Sequence, residues 1–239
     1  MGVLNMRRFN QERFNNFVLD RGVIGFFEEP VTLKSGRQSN WYVNWREATT
    51  DVFTLGVLAT HVADFITDYI SDYGIKAQYI YGVPDGATFL AAFTKVELAK
   101  RSPEYDFGSD KLTLRRSKPK DHGRPEDRHY IGGVPKGPTL VLEDVTTTGG
   151  SLIDEIERLR NDGVPVVAAI GLTNRMELRD DGLSVRRALA RMNVPYRSLS
   201  NALDLLPLAY QKLQPGRDIA DKVEAEFRQY GVEPIHLGE

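Results

Sequence analysis

The sequence predicts an α/β fold in which helices flank a mostly parallel central sheet. Four short apolar segments, rich in β-branched residues and leucine, are typical of strands buried on both faces. They span residues 78–83, 139–145, 164–172 and 195–199. Segments with helical periodicity lie between them, at 87–101, 152–160 and 183–192. Because strands and helices alternate, right-handed crossovers between parallel strands are the expected connections.

The remaining elements lie mainly at the two ends of the chain. We predict helices at 8–21, 51–73, 202–213 and 219–230, and short strands at 31–33, 41–45 and 112–115. Asp51 is a suitable N-cap and Gly74 a suitable end for the longest helix. No repeat, linker or low-complexity tract divides the chain, so we expect one domain over 1–239. It would comprise a small N-terminal hood mainly at 1–47, a core at about 50–200 and C-terminal helices at 201–239.

The composition limits the classes of function. The chain has 239 residues, enough for one sizeable core, and no cysteine, which excludes disulfides, thiolate metal sites and cysteine nucleophiles. Lys and Arg number 31 against 33 Asp and Glu, and a net charge of −2 does not indicate a nucleic-acid partner. The longest apolar stretch, 53–70, is interrupted by charged residues, and 1–20 lack an apolar signal core. We therefore expect a cytoplasmic protein that does not enter membranes.

The most informative segment runs from 139 to 151 and reads TLVLEDVTTTGGS. Its apolar strand ends in two carboxylates, Glu143 and Asp144, at the sheet edge where open α/β folds bind ligands. The hydroxyl- and glycine-rich turn can direct several backbone N–H groups to one point at the start of a helix, which favours an anion. These groups suit a phosphate next to a diol or a metal; an ordinary helix cap is the alternative.

This segment resembles the phosphoribosyl-pyrophosphate (PRPP) motif of the type I phosphoribosyltransferases, whose fold is then expected. The resemblance implies that Glu143 and Asp144 hold the ribose hydroxyls, directly or through Mg²⁺. It also implies that the following loop binds the 5′-phosphate of PRPP. The loop residues are Val145, Thr146, Thr147, Thr148, Gly149, Gly150 and Ser151.

A second segment, residues 33–45 (LKSGRQSNWYVNW), resembles the N-terminal segment of orotate phosphoribosyltransferases. The resemblance implies that Lys34 faces the anionic ligands PRPP and orotate, and that Tyr42 and Val43 form a wall for the base. Taken alone, its KSGR sequence is an ordinary polar turn.

Two more positions match the orotate-binding residues of that family. Thr147 in the PRPP loop matches a position that also reaches the base. Arg175 follows the strand at 164–172 and matches an arginine on the orotate carboxylate. A planar guanidinium suits this role because it can bind a carboxylate with two parallel hydrogen bonds.

A third segment, residues 115–123 (RRSKPKDHG), resembles the mobile catalytic loop of the same family, which closes over the active site of the neighbouring subunit. Lys120 and His122 match its catalytic residues, and Arg116 matches its upstream arginine. Such donors stabilise the negative charge on departing pyrophosphate, and a closing loop excludes water. Without the other motifs, this charge run would indicate a solvated surface.

The chain departs from the family pattern in two places. In the mobile loop, Ser117 stands where bacterial members have a lysine; either Lys118 takes over that contact with PRPP or the contact is lost. The turn at 81–86 matches the pyrophosphate loop, where Gly82 and Gly86 permit close approach of the backbone to phosphate. Asp85 stands there in place of a lysine, and either helps hold a metal or caps the next helix.

Together these resemblances imply an orotate phosphoribosyltransferase, a Mg²⁺-dependent pentosyltransferase of UMP biosynthesis that makes orotidine 5′-monophosphate and pyrophosphate. Mg²⁺ would be held mainly by PRPP, with Asp144 or Asp85 as a protein ligand. The catalytic residues would be Lys120, His122 and Asp144, and the chain would form a homodimer. Two alternatives remain, namely a phosphoribosyltransferase for another base and a regulator that senses PRPP or nucleotides on the same fold.

Overall fold

The computed structural model describes residues 8–108, 110–124 and 128–238. In chain order its elements are α1 (Gln11–Asp20), β1 (Ile24–Thr32), β2 (Gln38–Val43), α2 (Trp45–Ala48), α3 (Val52–Tyr73), β3 (Tyr79–Gly82), α4 (Thr88–Lys100), β4 (Leu114–Arg115), β5 (Tyr130–Ile131), β6 (Thr139–Thr146), α5 (Gly150–Asn161), β7 (Val166–Asn174), α6 (Val185–Arg191), β8 (Tyr196–Asn201), α7 (Ala202–Leu213) and α8 (Arg217–Tyr230). Strands β3, β6, β7 and β8 form a parallel sheet in the order β3–β6–β7–β8. The predicted α/β class is confirmed.

The central strands have an apolar core on each face, as their sequences predict. In β6, Leu140 and Leu142 join the larger core with helices α3, α4, α7 and α8. Val141 points to the opposite face, where it packs with Leu152 of α5 and Leu189 of α6. Since successive side chains of a strand point to opposite faces, a continuous apolar run is required when both faces are covered. All carboxyl ends of the four strands lie at one edge of the sheet.

Helix α3 begins and ends where the sequence predicts. The Asp51 side chain accepts a hydrogen bond from the backbone N–H of Thr54 at 2.7 Å, which satisfies one of the unpaired donors of the first turn. Gly74 adopts φ 63°, the left-handed conformation in which glycine ends helices without steric cost. No helix in the described part of the chain is long and apolar enough to cross a membrane.

The N-terminal hairpin differs from the prediction in two respects. Strand β1 begins at Ile24, whereas the sequence predicted a strand only at 31–33. Strand β2 covers Gln38–Val43, so the strand predicted at 41–45 began and ended too late, and Trp45 instead opens helix α2. The Trp45 indole N–H donates to the Thr173 hydroxyl at 3.0 Å, so a contact with the central sheet decides the conformation of this aromatic residue.

A second, shorter hairpin carries the segment that resembles the mobile catalytic loop. Strands β4 and β5 pair antiparallel, with Leu114 opposite Ile131 and Arg115 opposite Tyr130. We call the described residues beyond β4, 116–124, the lid. Two backbone bonds hold it, from the Arg116 N–H to the His129 carbonyl at 2.9 Å and from the Lys120 N–H to the Arg128 carbonyl at 2.8 Å.

Candidate active site

The junction of β6 and α5 lies at the carboxyl edge of the sheet. Gly149 has φ 72° and immediately precedes α5, so the chain turns sharply and the first N–H groups of the helix face the end of β6. A Cβ at Gly149 would lie 2.9 Å from a Val185 methyl group, which leaves no room for a side chain there. The Thr148 carbonyl accepts from the Arg179 guanidinium at 2.7 Å, and this contact holds the loop from outside.

A pocket of about 170 Å³ opens beside this junction. It lies between the carboxyl ends of β3 and β6, the PRPP-like loop and the N-terminal hairpin. Its lining includes these predicted residues: Lys34, Tyr42, Val43, Asp85, Gly86, Glu143, Asp144, Val145, Thr147, Ser151 and Arg175. Four separate segments of the sequence therefore meet at one place, as the motifs predict.

A larger cavity of about 460 Å³ adjoins the pocket and shares Lys34, Asp85 and Ser151 with it. Arg115 and Arg116 from the base of the lid and Arg158 from α5 line it, together with His129, Ser117, Asp154 and Glu155. With Lys34 there are four cations against three carboxylates, counting Asp85, so the lining has a net positive charge, which favours an anion. Ser151 of the PRPP-like loop belongs to the lining of both cavities.

The two carboxylates at the end of β6 differ in their surroundings. Glu143 is only 6% exposed, and burial, reinforced by the neighbouring Asp144 charge, raises the pKa of its carboxyl group well above its usual range. Lys34 opposes this shift from across the pocket. Asp144 is half-buried, and a Cβ placed on Gly86 would lie 2.2 Å from its Oδ2. The pyrophosphate-like turn thus approaches Asp144 so closely that any side chain at Gly86 would displace the carboxylate or the turn.

Lys34 links the N-terminal hairpin to the loop. Its ammonium group donates to the Ser151 hydroxyl at 2.7 Å, across 117 positions of sequence. It therefore lies where it can contact an anion held by the first turn of α5. Thr146 takes no part in the pocket lining, because its hydroxyl pairs with the buried Tyr196 hydroxyl at 2.6 Å behind the loop.

Arg175 lies under the pocket and is 1% exposed. Its Nε donates to Glu177 at 2.8 Å, and its two terminal nitrogens donate to the Ser39 hydroxyl at 2.9 Å and to the Trp41 carbonyl at 3.3 Å. The guanidinium carbon also lies 3.7 Å from the centre of the Trp41 ring. Three of the five N–H groups of an arginine are thus engaged by described residues, and one on each terminal nitrogen remains for a ligand.

Several predicted residues lie outside both cavities. Lys118 and His122 are exposed and Lys120 is half-buried, and none of the three lines either space. Gly82 lies behind the pocket, where a Cβ would come 2.1 Å from the Ala87 carbonyl oxygen. This glycine permits close packing of β3 against the start of α4, and its predicted contact with pyrophosphate stays a prediction. The contacts predicted for the lid residues therefore remain predictions.

Residues that no motif indicated also line the two cavities. Asn44, the N-cap of α2, and Arg46 within α2 line the pocket, and Asp154 and Arg158 line the cationic cavity along α5. A helical spacing of Ser151, Asp154 and Arg158 could have indicated this face, since residues three and four apart lie together. Across 8–108, 110–124 and 128–238, no group of three or more His, Cys, Asp or Glu side chains is arranged to hold a metal ion.

Comparisons with known proteins agree with this geometry. No family model matches the chain. It is 30% identical over 230 residues to an orotate phosphoribosyltransferase of Neisseria meningitidis, covering 95% of this chain and 100% of the relative. An orotate phosphoribosyltransferase of Laribacter hongkongensis is 31% identical over 232 residues, with the same coverage. The crystal structure of the Francisella tularensis orotate phosphoribosyltransferase has a TM-score of 0.64 at 21% identity, covering 92% of this chain and 99% of that one.

The fold, with its acidic strand end and glycine-rich turn into a helix, defines a type I phosphoribosyltransferase. Within that class, the sequence identity to orotate phosphoribosyltransferases over 95% of this chain shows the family. The chain belongs to the orotate phosphoribosyltransferase family. The predicted family is thereby confirmed.

Proposed function

We propose that the chain transfers the ribose 5-phosphate group of PRPP to N1 of orotate, in the route to UMP. In this reaction the bond between ribose C1 and the pyrophosphate oxygen breaks, and pyrophosphate leaves with the electron pair. A bond from N1 of orotate to C1 forms, and the N1 proton passes to water or to the departing pyrophosphate. The products are orotidine 5′-monophosphate and pyrophosphate.

The observation that carries the proposal is the junction of β6 with α5. A phosphate anchored by the N–H groups of the first turn of α5 lies next to Glu143 and Asp144, whose oxygens accept from ribose hydroxyls. The same carboxylates face the positive charge that develops on the ribose ring as pyrophosphate departs. Lys34, held at Ser151, adds a cation beside the phosphate groups.

The remaining lining residues suit orotate. Tyr42 lies on the pocket side of β2 and is partly exposed, so its ring is available as a wall against the base. Arg175 supplies the two N–H groups that remain after its internal bonds, and we assign them to the orotate carboxylate. Thr147 lines the same pocket, and we assign it a contact with the base.

Mg²⁺ is part of this proposal. Carboxylates of Asp85, Glu143 and Asp144 line one pocket, and Mg²⁺ in proteins is usually held by one or two carboxylates together with substrate phosphates and water. The ion would be held mainly by PRPP, with Asp144 or Asp85 as a protein ligand, and would neutralise charge on the pyrophosphate. A cytoplasmic location is proposed with it, since both substrates are charged metabolites.

A homodimer is also proposed, and an exposed apolar surface supports it. Phe53 at the start of α3 is 70% exposed and Phe89 at the start of α4 is 66% exposed, and the two helices pack against each other. Val52 and Val96 are also exposed on these two helices. Exposed large apolar side chains on helices that pack together are candidates for a protein interface. A dimer would allow the lid of one subunit to close over the site of the other.

The first experiment is an absorbance assay of orotate consumption with purified protein, PRPP and Mg²⁺, with and without a chelator. Consumption that stops on chelation supports both the reaction and the metal. If orotate is not consumed, pyrophosphate release with other bases in its place would identify a different phosphoribosyltransferase. Saturable binding of PRPP without turnover of any base would instead favour a regulator.

Replacement of Arg175 by lysine should raise the KM for orotate by at least about tenfold, because an ammonium group keeps the charge but loses the planar fork. The KM for PRPP should change less than twofold. Arg37→Lys is the matched control, since Arg37 shares Glu177 with Arg175 at 3.0 Å but does not line the pocket. Equal losses of orotate binding in both variants would assign Arg175 to support of the hairpin rather than to the carboxylate.

Replacement of Lys120 by alanine should lower kcat by at least about tenfold, the lower range for a positioned catalytic group, without changing the orotate KM. The exposed Lys136 provides the control variant Lys136→Ala. Co-expression of Lys120→Ala with Glu143→Gln distinguishes the two possible lid assignments. If the lid serves the partner subunit, half the dimers are mixed and have one complete site, so activity should recover to about a quarter of wild type. No recovery would mean that each lid closes on its own subunit.

A further inference from the structure

A buried cluster of polar side chains joins the base of the lid to the helix that follows the PRPP loop. At its centre is Glu155 of α5, which is 2% exposed. Its Oε1 accepts a hydrogen bond from the Tyr81 hydroxyl at 2.5 Å and forms an ion pair with Nε of Arg115 at 3.2 Å. Its Oε2 lies 3.2 Å from the Arg158 guanidinium. The carboxylate thus contacts β3, β4 and its own helix.

The second strand of the hairpin is tied to the same helix. Tyr130 of β5 is buried, and its hydroxyl donates to Asp162 at 2.5 Å, directly after the end of α5. The Arg115 guanidinium lies over the Tyr130 ring at 5.5 Å and donates to its hydroxyl at 3.4 Å. Strand β4 is therefore anchored to the middle of α5 through Arg115, and strand β5 to the residue after α5 through Tyr130.

Glu155 is paired with cations from two elements, Arg115 of β4 and Arg158 of α5. A buried carboxylate is costly unless it is paired and hydrogen-bonded, and here the main cation is Arg115 from the lid base. Tyr81 remains a neutral donor, because burial, followed by its hydrogen bond to Glu155, raises the pKa of its hydroxyl far above the usual range. Buried ion pairs add little net stability compared with apolar packing, and their best-attested effect is to fix one arrangement.

The three elements joined by Glu155 each lead directly into the proposed PRPP site. Tyr81 precedes the pyrophosphate-like turn, and Arg115 precedes the lid at Arg116. Ser151, one helical turn before Glu155, binds Lys34 in the first turn of α5. Glu155 itself lines the cationic cavity with Arg116 and Ser151.

We propose that Glu155 is a positioning residue that holds the base of the lid in register with the phosphate-binding helix and the pyrophosphate turn. It acts through Arg115 and Tyr81 and does not itself contact substrate. This inference rests on the proposed function for its catalytic consequence, but its structural consequence can be measured without any substrate.

The test is Glu155→Gln, which keeps the shape and an acceptor for Tyr81 but removes the charge opposite Arg115. In the free protein, exchange of the amide hydrogens of Arg116 and Lys120 should accelerate by at least about tenfold as the lid base loosens. With substrates, kcat should fall by at least about fivefold while the orotate KM stays within twofold. Glu157→Gln, at an exposed position of the same helix, is the matched control and should resemble wild type in both measurements.

Two further variants keep the outcome decisive. Tyr81→Phe removes one hydroxyl and should accelerate the same amides to a smaller extent. Arg115→Gln combined with Glu155→Gln should be no worse than Glu155→Gln alone, because residues that act as one pair are not additive. Lid amides in Glu155→Gln that exchange at the wild-type rate would overturn the proposal, even if the melting temperature falls. Failure of wild type to consume orotate would count against the proposed function and leave the exchange test in force.

Discussion

The Gly86→Ala variant should fold normally and lose at least about a hundredfold in kcat/KM for PRPP, the effect expected when a reacting group is displaced by about 1 Å. A Cβ at this position would lie 2.2 Å from Oδ2 and 2.8 Å from Oδ1 of Asp144. Either the carboxylate rotates out of the pocket or the turn before α4 withdraws. In both cases the acceptors for the ribose hydroxyls and the pyrophosphate turn no longer fit one PRPP molecule.

Gly56→Ala is the matched control for this variant. Gly56 lies within α3, where an added Cβ meets nothing within 4 Å, so the substitution should leave kcat/KM unchanged and slightly favour the helix. Steady-state kinetics at varied PRPP, together with a melting temperature for each variant, separates a site effect from a folding effect. A Gly86→Ala enzyme within threefold of wild type would show that close approach of the turn to Asp144 is not needed for turnover.

The elements whose signals are local in the sequence were predicted, and those that depend on contacts with distant residues were not. Strand β6 and helix α5 were predicted well because their signals are local: an apolar run, two carboxylates, a glycine turn and an apolar helix face. Strand β1 was recognised only at its end, since Glu28, Glu29 and Pro30 interrupt its apolar pattern and the pairing shifts between Phe26 and Val31. The polar stretch is exposed, so no core contact required an alternating pattern there.

The site shows the same limit at the level of single residues. The segments that line the pocket were predicted, because each carries its own motif. Contacts between residues of distant elements were not predicted. The Thr146 hydroxyl pairs with Tyr196 and Arg115 at the lid base pairs with Glu155, and no local sequence pattern indicates either contact. Arg175 is intermediate, because its place under the pocket was predicted and its three internal bonds were not.

The Glu143→Gln variant should lose most of its activity and gain stability, the gain increasing with pH. Burial and the adjacent Asp144 raise the pKa of Glu143 in the folded protein above its value in the unfolded chain. The folded state therefore binds this proton more tightly, so the stability that the protonated group provides is complete at low pH. It is lost as the pH rises through the folded-state pKa. Above the folded-state pKa, ionised Glu143 is retained at a cost in stability, consistent with a need for its negative charge beside the ribose.

Thermal melting of both proteins at pH 5 and pH 8 tests this sign. Glu143→Gln should melt above wild type at pH 8, with a smaller difference at pH 5, because wild type alone loses stability as its buried carboxyl group ionises. Its kcat/KM for PRPP should fall at least about a hundredfold, because a carboxamide cannot offer two anionic acceptors. If the Tm of Glu143→Gln at pH 8 is equal to or lower than that of wild type, Lys34 fully compensates the buried charge of Glu143. Glu143 would then contribute to stability as well as to substrate binding.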